Sequence, residues 1–160
     1  MNYFFITGSS KGLGKALTEL LLTDKNNIVY GYARTISIEH KNYIHTTVDF
    51  SDLKQVSEYQ FPLLENVEKL ILVNNAGIVG DIKHVGQISS QKIIDCYNIN
   101  TIAPAIFTND FLATYNKKYE KLIINISSGA GRTPIDGWNI YCSSKAALDM
   151  FSQVLNEEIN

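Results

Sequence analysis

The sequence predicts an α/β fold: a doubly wound parallel sheet of strand order 3-2-1-4-5. Three observations carry this reading. Short apolar runs alternate with helical patterns along the 160 residues. Right-handed crossovers between successive runs allow few other orders. The unusual residues cluster just after the first, fourth and fifth runs, at the carboxyl ends where such sheets bind ligands.

Each element has its own justification. Residues 3–6 read as a buried first strand, followed by a glycine-bearing loop and a helix from about residue 13. That helix carries Leu13, Ala16, Leu17, Leu20 and Leu21 on one expected inward face. Residues 28–33 and 43–48 form strands two and three, residues 52–59 a weak helix, and residues 70–73 a strong fourth strand. Residues 90–115 are helical, with an interruption expected near 98–104. Residues 122–126 form the fifth strand, and residues 141–158 the last helix. No repeat, low-complexity tract or linker divides the chain, so 1–160 is expected to be one domain.

Composition narrows the function. Charged residues are 19%, against roughly 25% in an average soluble domain, and 45% of residues are hydrophobic, which argues against disorder. The formal net charge of −2 supplies no field to recruit nucleic acid or an anionic membrane. Cys96 and Cys142 lie far apart and form no metal-ligand cluster with the three histidines. The first apolar run is too short for a signal peptide or membrane span. A soluble protein of the cytoplasm, without a metal, is expected.

The first strand ends in Thr7-Gly8-Ser9-Ser10-Lys11-Gly12-Leu13-Gly14. Glycines permit a tight turn, and free N–H groups at the start of the next helix suit a pyrophosphate. The spacing Gly-x3-Gly-x-Gly is neither the general dinucleotide fingerprint nor a P-loop. Read alone, the loop is either a nucleotide cradle or a plain turn. No carboxylate follows the second strand closely, where one would accept from a ribose 2′-hydroxyl; Glu39 is the first. Arg34 and Lys11 are instead available to a 2′-phosphate, which favours NADP(H).

Tyr141 and Lys145 lie four apart, one helical turn from each other. A phenol with pKa about 10 is a poor acid or base at neutral pH, and an adjacent ammonium brings it toward working range. Ser128 precedes Tyr141 by thirteen residues and is either a donor to a substrate carbonyl or a turn cap. Pro104 lacks an N–H, so the carbonyl of Asn100 loses its helical partner. Asn98 has the wrong offset for this. Trp138 stands as well for packing as for stacking on a planar substrate.

Taken together, Thr7-Gly8-x3-Gly12-x-Gly14, Asn74-Asn75-Ala76-Gly77, Asn100, Ser128 and Tyr141-x3-Lys145 resemble the short-chain dehydrogenase/reductase family across essentially the whole chain. Residues 100–104, 126–131 and 137–142 look most like its sepiapterin reductase and benzil reductase group. The resemblance implies a Rossmann-type fold and NADPH-dependent reduction of a small carbonyl substrate. Tyr141 would be the general acid, with Lys145 lowering its pKa and holding the nicotinamide ribose. Ser128 would polarise the carbonyl, and Asn100 would hold a water that links Lys145 to solvent. Cofactor contacts are implied at Gly8, Ser10, Lys11, Gly12, Leu13 and Gly14, at Arg34, Asp49 and Phe50, at Asn75, Ala76 and Gly77, and at Tyr141 and Lys145. A homodimer or homotetramer is the implied assembly.

Family members normally continue past the Tyr-Lys helix into strands six and seven and a segment covering the substrate. This sequence ends at Asn160, so the expectation is a C-terminally truncated domain whose fifth strand is an open edge. Two other functions compete: a non-catalytic nucleotide-binding module, and a methyltransferase of similar fold. The second leaves Tyr141, Lys145 and Ser128 without work.

Overall fold

The computed structural model describes residues 1–116 and 119–159. Five parallel strands, β1 (Asn2–Thr7), β2 (Asn27–Ala33), β3 (Tyr43–Thr47), β4 (Lys69–Asn74) and β5 (Glu120–Asn125), form one sheet of order β3-β2-β1-β4-β5. The predicted order is the observed one. Around it lie α1 (Gly12–Leu21), α2 (Leu53–Glu58), α3 (Ser90–Tyr97), α4 (Ala103–Thr114) and α5 (Asn139–Ile159). The short helix α2 is started by Asp52, whose carboxylate accepts from the N–H groups of Lys54 and Gln55.

Strand periodicity divides the apolar residues between two layers. Tyr3, Phe5, Tyr32, Leu70 and Leu72 face Val56 of α2 and Phe107 and Phe111 of α4. Phe4, Ile6, Val29, Ile71 and Val73 face the other way, toward Leu17 and Leu21 of α1. The central strands are therefore apolar on both sides, as a parallel sheet covered on both faces requires.

One expectation needs correction. Leu13, Ala16 and Leu20 are exposed, Leu13 and Leu20 at 60% and 67%. The buried residues of α1 are Gly14 and Thr18, flanked by the half-buried Leu17 and Leu21. The helix is pulled in at its small residues: a side chain at Gly14 would collide with the Gly8 carbonyl and the Asn75 amide. Cys142 is only half-buried, whereas Cys96 is fully buried.

The interruption between α3 and α4 is a π-helical turn, Asn98–Ile102, in which the Ala103 N–H donates to the Asn98 carbonyl. Pro104 denies the α-helical register its donor just here, and the chain accommodates this with one wider turn. Among the described residues, strand β5 pairs only with β4 and lies at the edge of the sheet. Its Leu122 and Ile124, on the α1 side, are 54% and 37% exposed. Among the described residues, no helix is long and apolar enough to cross a membrane.

Candidate active site

The carboxyl ends of β1, β2, β3 and β4 open on a cleft of about 560 Å³. Gly8, Ser10, Lys11, Gly12 and Leu13 form one wall. Ala33, Arg34, Val48, Asp49 and Phe50 form the next, with Asn75, Ala76 and Gly77 opposite. Gly8 and Gly12 have φ of 72° and 57°, the left-handed region that glycine enters freely, so the loop turns sharply at both. A Cβ at Gly12 would meet nothing within 4 Å and project into open space. The loop is thus a backbone cradle with basic side chains at its rim, which fits a nucleotide's phosphates.

Strand ends β1 and β4 are stapled together. The Thr7 hydroxyl accepts from the N–H groups of Asn75 and Ala76, both at 2.9 Å. The Asn75 amide donates to the carbonyls of Thr7 and Gly8, at 2.9 and 3.2 Å. Asn75 therefore shapes the cleft with its backbone while its side chain is committed to the glycine loop. At the far end, the Asp49 carboxylate accepts from the Ser51 N–H and hydroxyl at 2.9 and 2.7 Å. These bonds, with a smaller contribution from the Arg34 charge, hold its pKa below the ordinary value. Arg34 itself is exposed at the cleft wall.

Helix α5 presents Tyr141 and Lys145 together: the ammonium is 5.9 Å from the centre of the phenol ring. Lys145 is buried, and its Nζ donates to the Ile126 carbonyl at 2.8 Å. Burial lowers its pKa, against smaller opposing effects of Cys96 and Asp149. Asn100 on the π turn is fully buried. Its Oδ1 accepts from the Ile78 N–H at 2.9 Å, and its Nδ2 donates to the Ile78 carbonyl at 2.8 Å and to Ser144 Oγ at 3.0 Å. A Cβ at Gly77 would lie 3.4 Å from Asn100 Oδ1 and 3.5 Å from Lys145 Nζ. The two side chains therefore both approach Gly77, where β4 leaves the sheet.

Ser128 follows β5 and its Oγ accepts from the Ala130 N–H at 3.2 Å, capping a 3₁₀ turn at Gly129–Gly131. The cap uses a lone pair, and the hydroxyl proton is not engaged in it. Trp138 packs edge-on to Tyr141, ring centres 5.6 Å apart. Asn98 turns away and donates to the Ser51 carbonyl at 3.0 Å.

Sequence reasoning missed several cleft residues: Ser51, Ile78, Lys92, Asp95 and Ile99. It also missed Ser144, which accepts from Asn100 and donates to the Tyr141 carbonyl at 2.8 Å. Only the place of Ser144 immediately before Lys145 hinted at it. The others come from segments whose approach to the glycine loop no local pattern records.

The family model for short chain dehydrogenase matches residues 2–160. A benzil reductase ((S)-benzoin forming) of Bacillus subtilis is 35% identical over 167 residues, covering 99% of this chain and 68% of that relative. A sepiapterin reductase of Xenopus laevis is 28% identical, covering 96% of this chain and 66% of its own. The solved closed form of serine dehydrogenase complexed with NADP+ superposes with a TM-score of 0.86 at 23% identity, over 99% of this chain and 66% of that one. The chain thus spans about two thirds of the length of these proteins. It belongs to the short-chain dehydrogenase family, with the Rossmann-type fold.

Proposed function

We propose that this member of the short-chain dehydrogenase family is an NADPH-dependent carbonyl reductase of the cytoplasm, acting on a small ketone or vicinal dicarbonyl. The observation that carries the reading is that Lys145, which lies over the Tyr141 ring, and Asn100 both approach Gly77, a residue of the cleft that also holds Arg34. Bound there, NADPH supplies a hydride to the carbonyl carbon. The chain's own residues supply the rest.

Tyr141 gives its phenolic proton to the carbonyl oxygen as charge develops on it. Lys145 keeps its ammonium close to the ring, in a buried setting where the charge is little screened, and so favours the phenolate left behind. Ser128 turns its free proton toward the same oxygen and holds the carbonyl for attack. Asn100 fixes the main chain of Ile78 beside Lys145. Its own carbonyl, which Pro104 deprives of a helical partner, accepts from a water that returns protons to Lys145. Arg34 and Lys11 receive the 2′-phosphate, Asp49 and Phe50 the adenine. The benzil reductase relative makes an aromatic vicinal diketone the first substrate to try, with Trp138 beside Tyr141 as its stacking surface.

The test is a nucleotide titration followed by turnover of benzil. NADPH should bind the 160-residue chain more tightly than NADH. The Tyr141→Phe variant should bind NADPH as the parent does and turn over about 10²–10⁴-fold more slowly. Turnover unaffected by that change removes Tyr141 from the mechanism. Nucleotide binding with no turnover in the parent favours the binding-module reading instead.

A further inference from the structure

Ser9 is the one residue between Gly8 and Gly12 that does not line the cleft; it is fully buried on the opposite side of the loop. Its Oγ meets the hydroxyl of Tyr43 at 2.9 Å. Tyr43 opens β3, the strand at the far edge of the sheet, with β2 lying between it and β1. Its ring can cross only because β2 has no side chain in the way. A Cβ on Gly31 would overlap the Tyr43 ring and hydroxyl, and would stand 2.6 Å from Ser9 Oγ. Gly31 has ordinary strand geometry, so the backbone does not require glycine there. What requires it is the passage of the phenol. The same hydroxyl lies 3.3 Å from His45 Nδ1, and His45 Nε2 lies 3.4 Å from Thr47 Oγ1. One row of polar groups thus runs along β3 and ends on the glycine loop.

We propose that Tyr43 is a positioning residue for the phosphate-binding loop: through the gap at Gly31 it holds Ser9 from behind, and so sets Ser10 and Lys11 toward the nucleotide. The proposal rests on the dinucleotide reading of the cleft for its consequence, though not for its geometry. Gly8 and Gly12 give the loop backbone many accessible conformations, so holding it in one shape costs entropy. A hydroxyl bond at its buried face confines it before any ligand arrives, which lowers the ordering cost of binding.

Tyr43→Phe removes only the hydroxyl and keeps the ring in its slot. It should raise the NADPH dissociation constant about 3–10-fold, as loss of one neutral hydrogen bond does. Ser9→Ala should do the same, and the double variant should be no worse than either single one. Without nucleotide, amide hydrogen exchange at residues 8–12 should quicken in Tyr43→Phe while the urea midpoint hardly moves. Tyr59→Phe is the control, because its hydroxyl pairs with Tyr32 on the other face of the sheet. Parent-like exchange at residues 8–12 and a parent-like dissociation constant in Tyr43→Phe overturn the proposal, as do fully additive effects of the two variants. If the parent fails to bind NADPH, the dinucleotide reading falls, and the exchange at residues 8–12 alone decides whether Tyr43 holds the loop.

Discussion

Asn100 grips Ile78 by both of its main-chain groups, accepting from the N–H at 2.9 Å and donating to the carbonyl at 2.8 Å. The pairing resembles one rung of a strand ladder, made by a side chain where β4 has ended. It joins the π turn to the loop that passes Lys145, so the site's two halves meet in one amide.

Replacing that amide should be costly. Asn100→Ala leaves the Ile78 groups and Ser144 Oγ short of partners, at about 1–3 kcal/mol for each buried group left unpaired. A loss of about 2–4 kcal/mol is expected in urea unfolding. Asn100→Asp should be no milder, because a carboxylate oxygen would then face the Ile78 carbonyl. A parent-like midpoint for either variant would contradict this account.

Two glycines two residues apart should respond very differently. Gly12→Ala places a methyl group in open space and pays only for its φ of 57°, about 1–2 kcal/mol. Gly14→Ala drives a methyl into the Gly8 carbonyl, a backbone atom that cannot swing aside. It should lose about 3 kcal/mol or fail to fold. Thermal unfolding of the two variants checks the order, and equal stability refutes it.

Arg34 and Lys11 should act on the 2′-phosphate alone. Each charge-assisted contact is worth about 1.5–3 kcal/mol, so Arg34→Ala should weaken NADPH roughly 10–150-fold and NADH hardly at all. A uniform loss for both nucleotides would move Arg34 to the pyrophosphate or to a structural role beside Asp49.

The sheet order was legible because apolar runs and helical periods alternate without ambiguity, and the cleft wall was legible because its residues sit at strand ends. The inward face of α1 was misread because leucine count outweighs packing in a periodicity argument. The structure turns on Gly14, whose value lies in what it lacks. The π turn was half legible, since Pro104 marks the break in the helix without specifying how it is absorbed. The Tyr43–Ser9 contact was not legible at all. It spans 34 residues and depends on a third, Gly31, being small.

The buried ammonium of Lys145 gives a pH signature with a definite sign. Desolvation depresses its folded pKa below the ordinary 10.5, so between those two values the unfolded chain binds more protons than the folded one. Stability then rises with pH in that window. At lower pH the full cost of burying the charge is present, and it is relieved only as the ammonium deprotonates. Lys145→Met keeps an apolar stem in the same space without the charge. The unfolding free energy of the parent minus that of the variant should be flat at neutral pH and climb from the depressed folded value up to about 10.5. Urea unfolding at several alkaline pH values measures it, with Tyr141→Phe present in both proteins because that phenol is coupled to Lys145; the tyrosines remote from Lys145 cancel in the difference. A difference that falls with rising pH would mean that the Ile126 carbonyl and the opposing effects of Cys96 and Asp149 outweigh burial and hold the ammonium charged. Lys145 would then serve Tyr141 as a fixed cation and could not pass on a proton.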